Sequence, residues 1–365
     1  MTAPRITVDL SKIRHNTRCL VDRLKPHGIT VTGVTKAVCG HPEIANAMLE
    51  GGVTGLADAR ISNVVRMRNT GILCPITLIR TPMLSQVEQV VENCDDSFNT
   101  EMDIIAGLAI EARRKNVIHN IIVVVEMGDM REGILPEHLE GTVCQVLKTE
   151  GVSLKGIAAN FACLGCVAPT PEAMTMLSSL AVDTERACGS ILETVSGGGS
   201  ANLPWALGKE TAGQINNLRL GEAILLGTDP ITGQPIKGLY TDAFKLLAEV
   251  IETKAIANPN PVQMTDPVLS MVCATIDRPS NTRSILAIGL QDTDAVGLTF
   301  PAGVTFIGAT SDHIVVETTN SPLRAGDEMT LNMKYSALTR SMAAPDVAKV
   351  VRREKALPEC IAAKQ

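Results

Sequence analysis

Over the first two-thirds of the chain, short β-branched and aliphatic runs alternate with longer stretches of helical periodicity. The runs Ile29–Val34, Val53–Ala57, Ile76–Ile79, Asp96–Phe98, Asn120–Glu126, Leu154–Asn160, Leu192–Ser196 and Leu218–Gly221 read as strands. Helical patterns fill most of the gaps, among them Pro42–Glu50, Ile61–Asn69, Glu101–Lys115, Pro136–Thr149 and Pro171–Cys188. Eight strands with intervening helices predict an α/β fold, a (β/α)8 TIM-like barrel over residues 11–230. The pattern then changes. Ala248–Lys254, Val268–Asp277, Ser284–Gly289, Val304–Ile307, Ile314–Thr318 and Glu328–Met333 read as strands joined by Gly, Pro and Asp turns. Residues 231–365 therefore form a C-terminal mainly β domain, with Asn258–Pro267 as a proline-containing loop inside it.

Composition narrows the functional classes. The chain has 365 residues and is 45% hydrophobic but only 2% aromatic, so aliphatic side chains must fill the core. Its 33 Lys and Arg against 39 Asp and Glu give a net charge of −6. With few aromatic rings for base stacking and no basic footprint, nucleic acid is not an expected partner. The first residues lack the apolar run of a signal peptide. The strongest apolar stretch, Ile121–Val125, is strand-sized, so no membrane partner is expected either. Ten cysteines are scattered, with a single C-x-x-C pair at Cys163 and Cys166. That usage reads as reduced thiols in a cytoplasmic protein, with no metal site.

In a parallel barrel, reactive groups sit where the strands end. The strand ends carry Lys36, Asp58, Arg80, Asn99, Arg131, Asn160, Ser196 and Arg219. Together they read as a ligand-binding mouth; singly, each also reads as a helix cap or loop polar. Lys36 closes the run Val31-Thr32-Gly33-Val34-Thr35. A lysine at a buried strand end loses solvation, which favours the neutral amine that forms Schiff bases with aldehydes. The plainer reading is a lysine whose stem snorkels to the surface.

The segment Val34-Thr35-Lys36-Ala37-Val38-Cys39-Gly40-His41 resembles the alanine racemase superfamily, the fold-type III pyridoxal-phosphate (PLP) enzymes. Further resemblances follow in order along the chain: Thr7–Ile13, Met127–Gly133, Gly156–Ala162, Ser196–Ser200, Arg219–Ala223, Ala287–Asp292, Ser311–His313 and Ala325–Glu328. The alanine/ornithine racemase group is the most similar, sharing Val-Thr-Lys, Leu-Arg-Leu-Gly-Glu-Ala-Ile-Leu-Leu-Gly and Ser-Asp-His. The resemblance implies PLP carried on Lys36, with Asn160, Ser196, Gly197, Gly198, Ser200, Arg219, Gly221 and Tyr335 around it. It implies Arg131, Ser311 and Asp312 at the substrate. It also places residues 1–10 as a strand of the β domain, and implies a homodimer in which the partner subunit's β domain completes the site. The activity implied is racemisation of an amino acid, with ornithine favoured and lysine, alanine or serine open.

Racemisation needs a proton-transferring group on each face of a planar intermediate, and Lys36 serves one. Where the family has a tyrosine for the other face, this chain has Leu290, which cannot transfer a proton. Tyr335 is the first substitute and His313 the second, with Asp292 a third. A cationic substrate side chain would want a carboxylate, and Asp129, Glu132, Asp242 and Asp292 are candidates. Rival readings are a non-catalytic PLP-binding protein, a PLP-dependent lyase or aldolase acting on D-amino acids, and an unrelated Schiff-base aldolase on the same barrel.

Overall fold

A computed structural model of the chain describes residues 3–164, 168–209, 211–256, 281–318 and 323–353. The chain divides into two compact units. The barrel unit comprises Ser11–Lys36 and Gly40–Thr241; the sheet unit comprises residues 3–10, 37–39 and 242–353. Among the described residues, no helix is long and apolar enough to cross a membrane.

In chain order, the elements up to the end of the barrel are β1 (Arg5–Asp9), α1 (Leu10–Leu24), β2 (Thr30–Val34), α2 (Pro42–Glu50), β3 (Gly55–Asp58), α3 (Ile61–Asn69), β4 (Ile76–Leu78) and α4 (Val87–Asn93). They continue with β5 (Asp96–Asn99), α5 (Met102–Arg114), β6 (His119–Val125), α6 (Pro136–Leu147), β7 (Val152–Ala159), α7 (Pro171–Cys188), β8 (Thr194–Ser196), α8 (Leu203–Ala206), β9 (Asn217–Leu220) and α9 (Glu222–Leu226).

Strands β2 to β9 close into a parallel barrel in sequential order, with β9 paired back to β2 through Gly33 opposite Leu220. This is the (β/α)8 architecture expected from the pattern. Parallel strands are covered on both faces, and Ile121–Val125 of β6 is accordingly buried without alternation. The helices instead bury one stripe: α5 hides Ile105, Leu108, Ala109 and Ala112, spaced for a single face. Inside the bore, Phe98, Ile122, Val124 and Ala158 make an apolar cluster, with Ile79 packed against it. The helices return the chain from the C-terminal ends of the strands, so residues following β2, β6, β7, β8 and β9 share one mouth.

The sheet unit contains β1, β10 (Phe244–Ile256), β11 (Asn281–Leu286), β12 (Leu298–Thr299), β13 (Val304–Ala309), β14 (Ile314–Thr318), β15 (Glu328–Met333), α10 (Tyr335–Ala343) and β16 (Ala348–Arg352). The order β12-β15-β10-β11-β14-β13 forms the spine of an eight-stranded sheet, and β1 joins it antiparallel to β10 and parallel to β16. Strand β10 switches partners at a bulge between Val250 and Glu252. Its first half pairs with β1 and β15, its second with β11. Strands β12 and β16 and helix α10 go beyond what the sequence pattern marks. The expected strand Val268–Asp277 and loop Asn258–Pro267 lie outside the described residues, as does Cys166. Cys74, Cys94, Cys144, Cys163 and Cys188 are free thiols.

Candidate active site

The turn that presents Lys36 is pinned from below. The Thr35 hydroxyl donates to Asp58 Oδ2 at 2.7 Å, and the Thr35 N–H donates to the Ala57 carbonyl at 2.9 Å. Asp58 also accepts from the Arg60 N–H and the Asn63 amide, so this strand-end acid is a buried cap. Burial raises its carboxyl above the ordinary range. Gly40, at φ +61°, closes the turn; a Cβ there would lie 2.7 Å from the Asn63 carbonyl. Lys36 itself is half-buried and, among the described residues, makes no hydrogen bond or ion pair. Its amine is uncommitted.

Arg219 lies on the floor of the mouth, 7% exposed. Its Nη1 donates to Ser196 Oγ at 2.6 Å, and its Nη2 donates to the Ala159 carbonyl and Asn160 Oδ1, both at 2.9 Å. Its guanidinium carbon sits 4.9 Å from the Phe98 ring centre, a cation–π contact. Every one of these partners is neutral. Burial without a carboxylate partner brings the Arg219 pKa down to about 10, still well above neutrality. The floor continues downward: Ser196 donates to Asn217 Oδ1 at 2.6 Å, and Asn217 Nδ2 donates to Thr30 and Thr32 at 3.2 and 3.0 Å. Beneath lies a polar cavity of about 220 Å³ lined by Thr77, Thr194 and Asp96, among others. Lys155 pairs with Asp96 across it.

The Ser196–Ser200 segment is a tight turn. Gly197 donates its N–H to the Asn217 carbonyl, and Gly199 donates to Asn202 Oδ1. Gly198 has φ +109°, and a Cβ there would lie 2.2 Å from Asn202 Oδ1, so no larger residue fits. Ser200 Oγ accepts from the Ala223 N–H, joining this turn to the start of α9. Gly197 and Gly199 spend their N–H groups internally, and the Ser196 hydroxyl is spent beneath Arg219.

Arg131 sits on the rim, in a loop wired by Glu126. That carboxylate accepts from the N–H groups of Gly128, Met130 and Arg131. Asp129 Oδ1 accepts from the Cys163 and Leu164 N–H groups, stapling the loop after β6 to the loop after β7. Non-glycine residues with positive φ concentrate after strand ends: Cys39, Met130 and Ala162 at +54°, +54° and +56°. Such backbone costs on the order of 1–3 kcal/mol per residue, and at Met130 and Ala162 the Asp129 staple holds it. Arg131 Nε lies 2.8 Å from Glu132 and 3.5 Å from Asp129. Among the described residues its Nη1 and Nη2 have no hydrogen-bond partner. Asn160 links rim to floor, donating to Glu132 at 3.4 Å while accepting from Arg219.

Sequence reasoning quoted Glu222 within a motif and gave it no role. Burial and Asp229 push its carboxyl up to about 7, against a lowering by Lys36. An acid immediately after the Arg-Leu-Gly strand end was the available signal.

The remaining candidates belong to the sheet unit. Ser311, Asp312 and His313 form the β13–β14 turn, closed by the Thr310 N–H donating to the His313 carbonyl at 2.8 Å. Ser311 and Thr310 hydroxyls donate to Asp312, holding its carboxyl below the usual range, and His313 Nδ1 lies 3.3 Å from it. The loop after β11 docks on this turn: Leu290 donates to Thr310 and Gln291 to Ser311. Asp292 accepts from the Gly289 N–H at 3.0 Å, so it caps its own turn. Tyr335 is half-buried at the first position of α10, on a different element from the His313 turn. Among the described residues, no group of three or more His, Cys, Asp or Glu could hold a metal.

Comparison with known proteins fits this geometry. The model of the alanine racemase N-terminal domain matches residues 8–229. Lysine racemase of Thermotoga maritima is 34% identical over 352 residues, covering 96% of this chain and 99% of that protein. Ornithine racemase of Acetoanaerobium sticklandii is 31% identical over 350 residues, with 95% and 99% covered. The fold matches the solved alanine racemase of Clostridium difficile 630 with a TM-score of 0.75 at 19% identity, covering 97% of each chain. A barrel with a free strand-end lysine and a buried arginine, matched over both its units by racemases, thus leads to one assignment: the chain belongs to the alanine racemase family of PLP-dependent isomerases.

Proposed function

We propose that this enzyme interconverts the enantiomers of a basic amino acid, ornithine or lysine. The observation that carries the reading is the near-complete sequence match to lysine and ornithine racemases, whereas the sequence matches to the curated alanine racemases span 42–44% of this chain. The rim supports it: Asp129 and Glu132 flank a single arginine, which leaves that corner net negative toward a cationic side chain.

The residues fit the cofactor. Lys36 offers an uncommitted amine to an aldehyde, Gly198, Ser200 and Gly221 offer a narrow turn to a phosphate, and Arg219 offers a hydrogen bond to a ring nitrogen. When bound, PLP supplies an electron-withdrawing ring that makes the substrate Cα–H acidic. With the cofactor bound, the Lys36 amine would take or return the α-proton on one face of the substrate. Arg219 would hold the ring nitrogen by a hydrogen bond, and its fixed positive charge would disfavour protonation there. Arg131, gripped on its Nε edge, turns Nη1 and Nη2 to the substrate carboxylate. Tyr335 is the proposed acid–base group for the opposite face and His313 the alternative; Tyr335→Phe should abolish exchange on one face. The functional form is a homodimer, which light scattering of the holoenzyme would check.

The test is proton NMR of the PLP-loaded protein with single enantiomers of ornithine, lysine, alanine and serine in D₂O. Deuterium entering Cα of ornithine or lysine together with the growing antipode is the expected result. Faster turnover of alanine or serine would overturn the substrate assignment. Metal-dependent formation of an aldehyde and glycine from a β-hydroxy amino acid would indicate an aldolase.

A further inference from the structure

Two helices of the barrel unit carry a pair of thiols that racemisation does not use. Cys144 lies in the last turns of α6, and Cys188 is the final residue of α7. Both are free and half-buried, and their sulfurs are 3.1 Å apart. A disulfide holds its sulfurs about 2.05 Å apart, so closure asks for an approach of about 1 Å. Both helices begin at the mouth and run back along the barrel, so the pair sits at the end of the barrel away from Lys36 and the arginines.

The alternatives for such a pair are weak. No metal-binding group of His, Cys, Asp and Glu surrounds it among the described residues. The Cys188 thiol is pushed up to about 11, first by burial and then by Cys144 and Glu140, the opposite of what an activated nucleophile shows. What remains is chemistry between the two sulfurs.

We propose that Cys144 and Cys188 form a reversible disulfide that clamps α6 to α7 when the protein meets a low-molecular-weight disulfide. The Cys144 thiolate attacks one sulfur of the oxidant, the S–S bond breaks, and one small thiolate leaves. The Cys188 thiolate then attacks the Cys144 sulfur of the mixed disulfide and expels the second small thiolate. The two protein thiol protons end on the two released small thiols. Two cysteines are oxidised and one small disulfide is reduced. The closed loop contains β7 and Asn160, so the bond restricts the unfolded chain across a segment that contributes to the site. Its effect falls on stability and leaves turnover unchanged.

The experiment treats full-length holoenzyme with oxidised glutathione or with dithiothreitol, followed by peptide mass mapping, thermal melting and a racemase assay. The expected result is a Cys144–Cys188 linked peptide, a melting temperature several degrees above that of the reduced protein, and unchanged turnover. Cys144→Ser and Cys188→Ser should each lose both the linked peptide and the oxidative shift in melting. Two results would overturn the proposal: Cys144 and Cys188 peptides that stay free or carry only glutathione after prolonged mildly alkaline oxidation, or an oxidative melting shift that survives in both serine variants. Mapping the wild-type protein decides the matter even if a variant folds poorly.

Discussion

Arg219 and Arg131 are the same side chain put to opposite uses by their surroundings. On the floor, Arg219 is buried among Ser196, Ala159, Asn160 and the Phe98 ring, all neutral. On the rim, Arg131 is about one-third exposed and lies between two carboxylates. A carboxylate beneath Arg219 would cancel the charge that the site needs at the cofactor ring; neutral acceptors fix its direction and leave its charge uncompensated. The rim carboxylates hold one edge of Arg131 and leave the other free for a ligand, in a position where solvent moderates the cost. On the proposed function, the floor would govern the chemical step and the rim would govern binding.

The most severe break of this contrast is Arg219→Ala. It removes a buried, preoriented cation and should lower kcat by about 100- to 1,000-fold with little change in KM. Arg131→Ala should do the reverse, raising KM about 10- to 100-fold, the worth of a charge-assisted hydrogen bond to a carboxylate. Asn217→Leu leaves both arginines present but removes the acceptor beneath Ser196. A loss in kcat of about 2- to 10-fold, from one hydrogen bond of the relay, is expected in steady-state assays. Glu222→Gln should have the smallest effect at neutral pH and show itself in pH dependence.

The sign for Glu222 follows from burial. Its carboxyl is raised in the folded protein from 4.5 to about 7, so the folded state holds a proton that the unfolded state has released. Its contribution to stability is present below about 4.5 and is lost as pH rises toward about 7. Glu222→Gln should flatten that fall in denaturant titrations across the same window. His119 acts in the opposite direction: burial lowers it to about 4, so its contribution is lost as pH falls from 6.5. Comparing variant with parent at each pH separates the two.

Much of this arrangement was legible before any coordinates. Lys36 ends a β-branched run and Arg131 follows the apolar strand β6, because parallel barrel strands are buried on both faces and stop where polarity returns; Arg219 is the polar break inside the short last strand. The partners were not legible. The resemblance places Ser196 around the cofactor, but only the tertiary structure shows its hydroxyl paired with Asn217 beneath Arg219. Asp129 and Glu132 both read as loop acids; only the proximity of Cys163 and Asn160, about thirty residues on, shows that they brace the rim. Strand β12, with two residues, is too short for any period to register, and β16 is only partly buried. The Asp292 carboxylate closes its own turn by accepting from the Gly289 N–H, a local contact that the sequence alone does not reveal.

The division of labour between floor and rim is tested most directly by α-proton exchange at saturating substrate, where binding no longer limits the rate. Solvent deuterium incorporation into L-lysine or L-ornithine would be followed by NMR for the parent enzyme, Arg131→Ala and Arg219→Ala. The account predicts exchange near the parental rate for Arg131→Ala and a loss of about 100-fold or more for Arg219→Ala. Equal losses in the two variants, or near-parental exchange without Arg219, would contradict it.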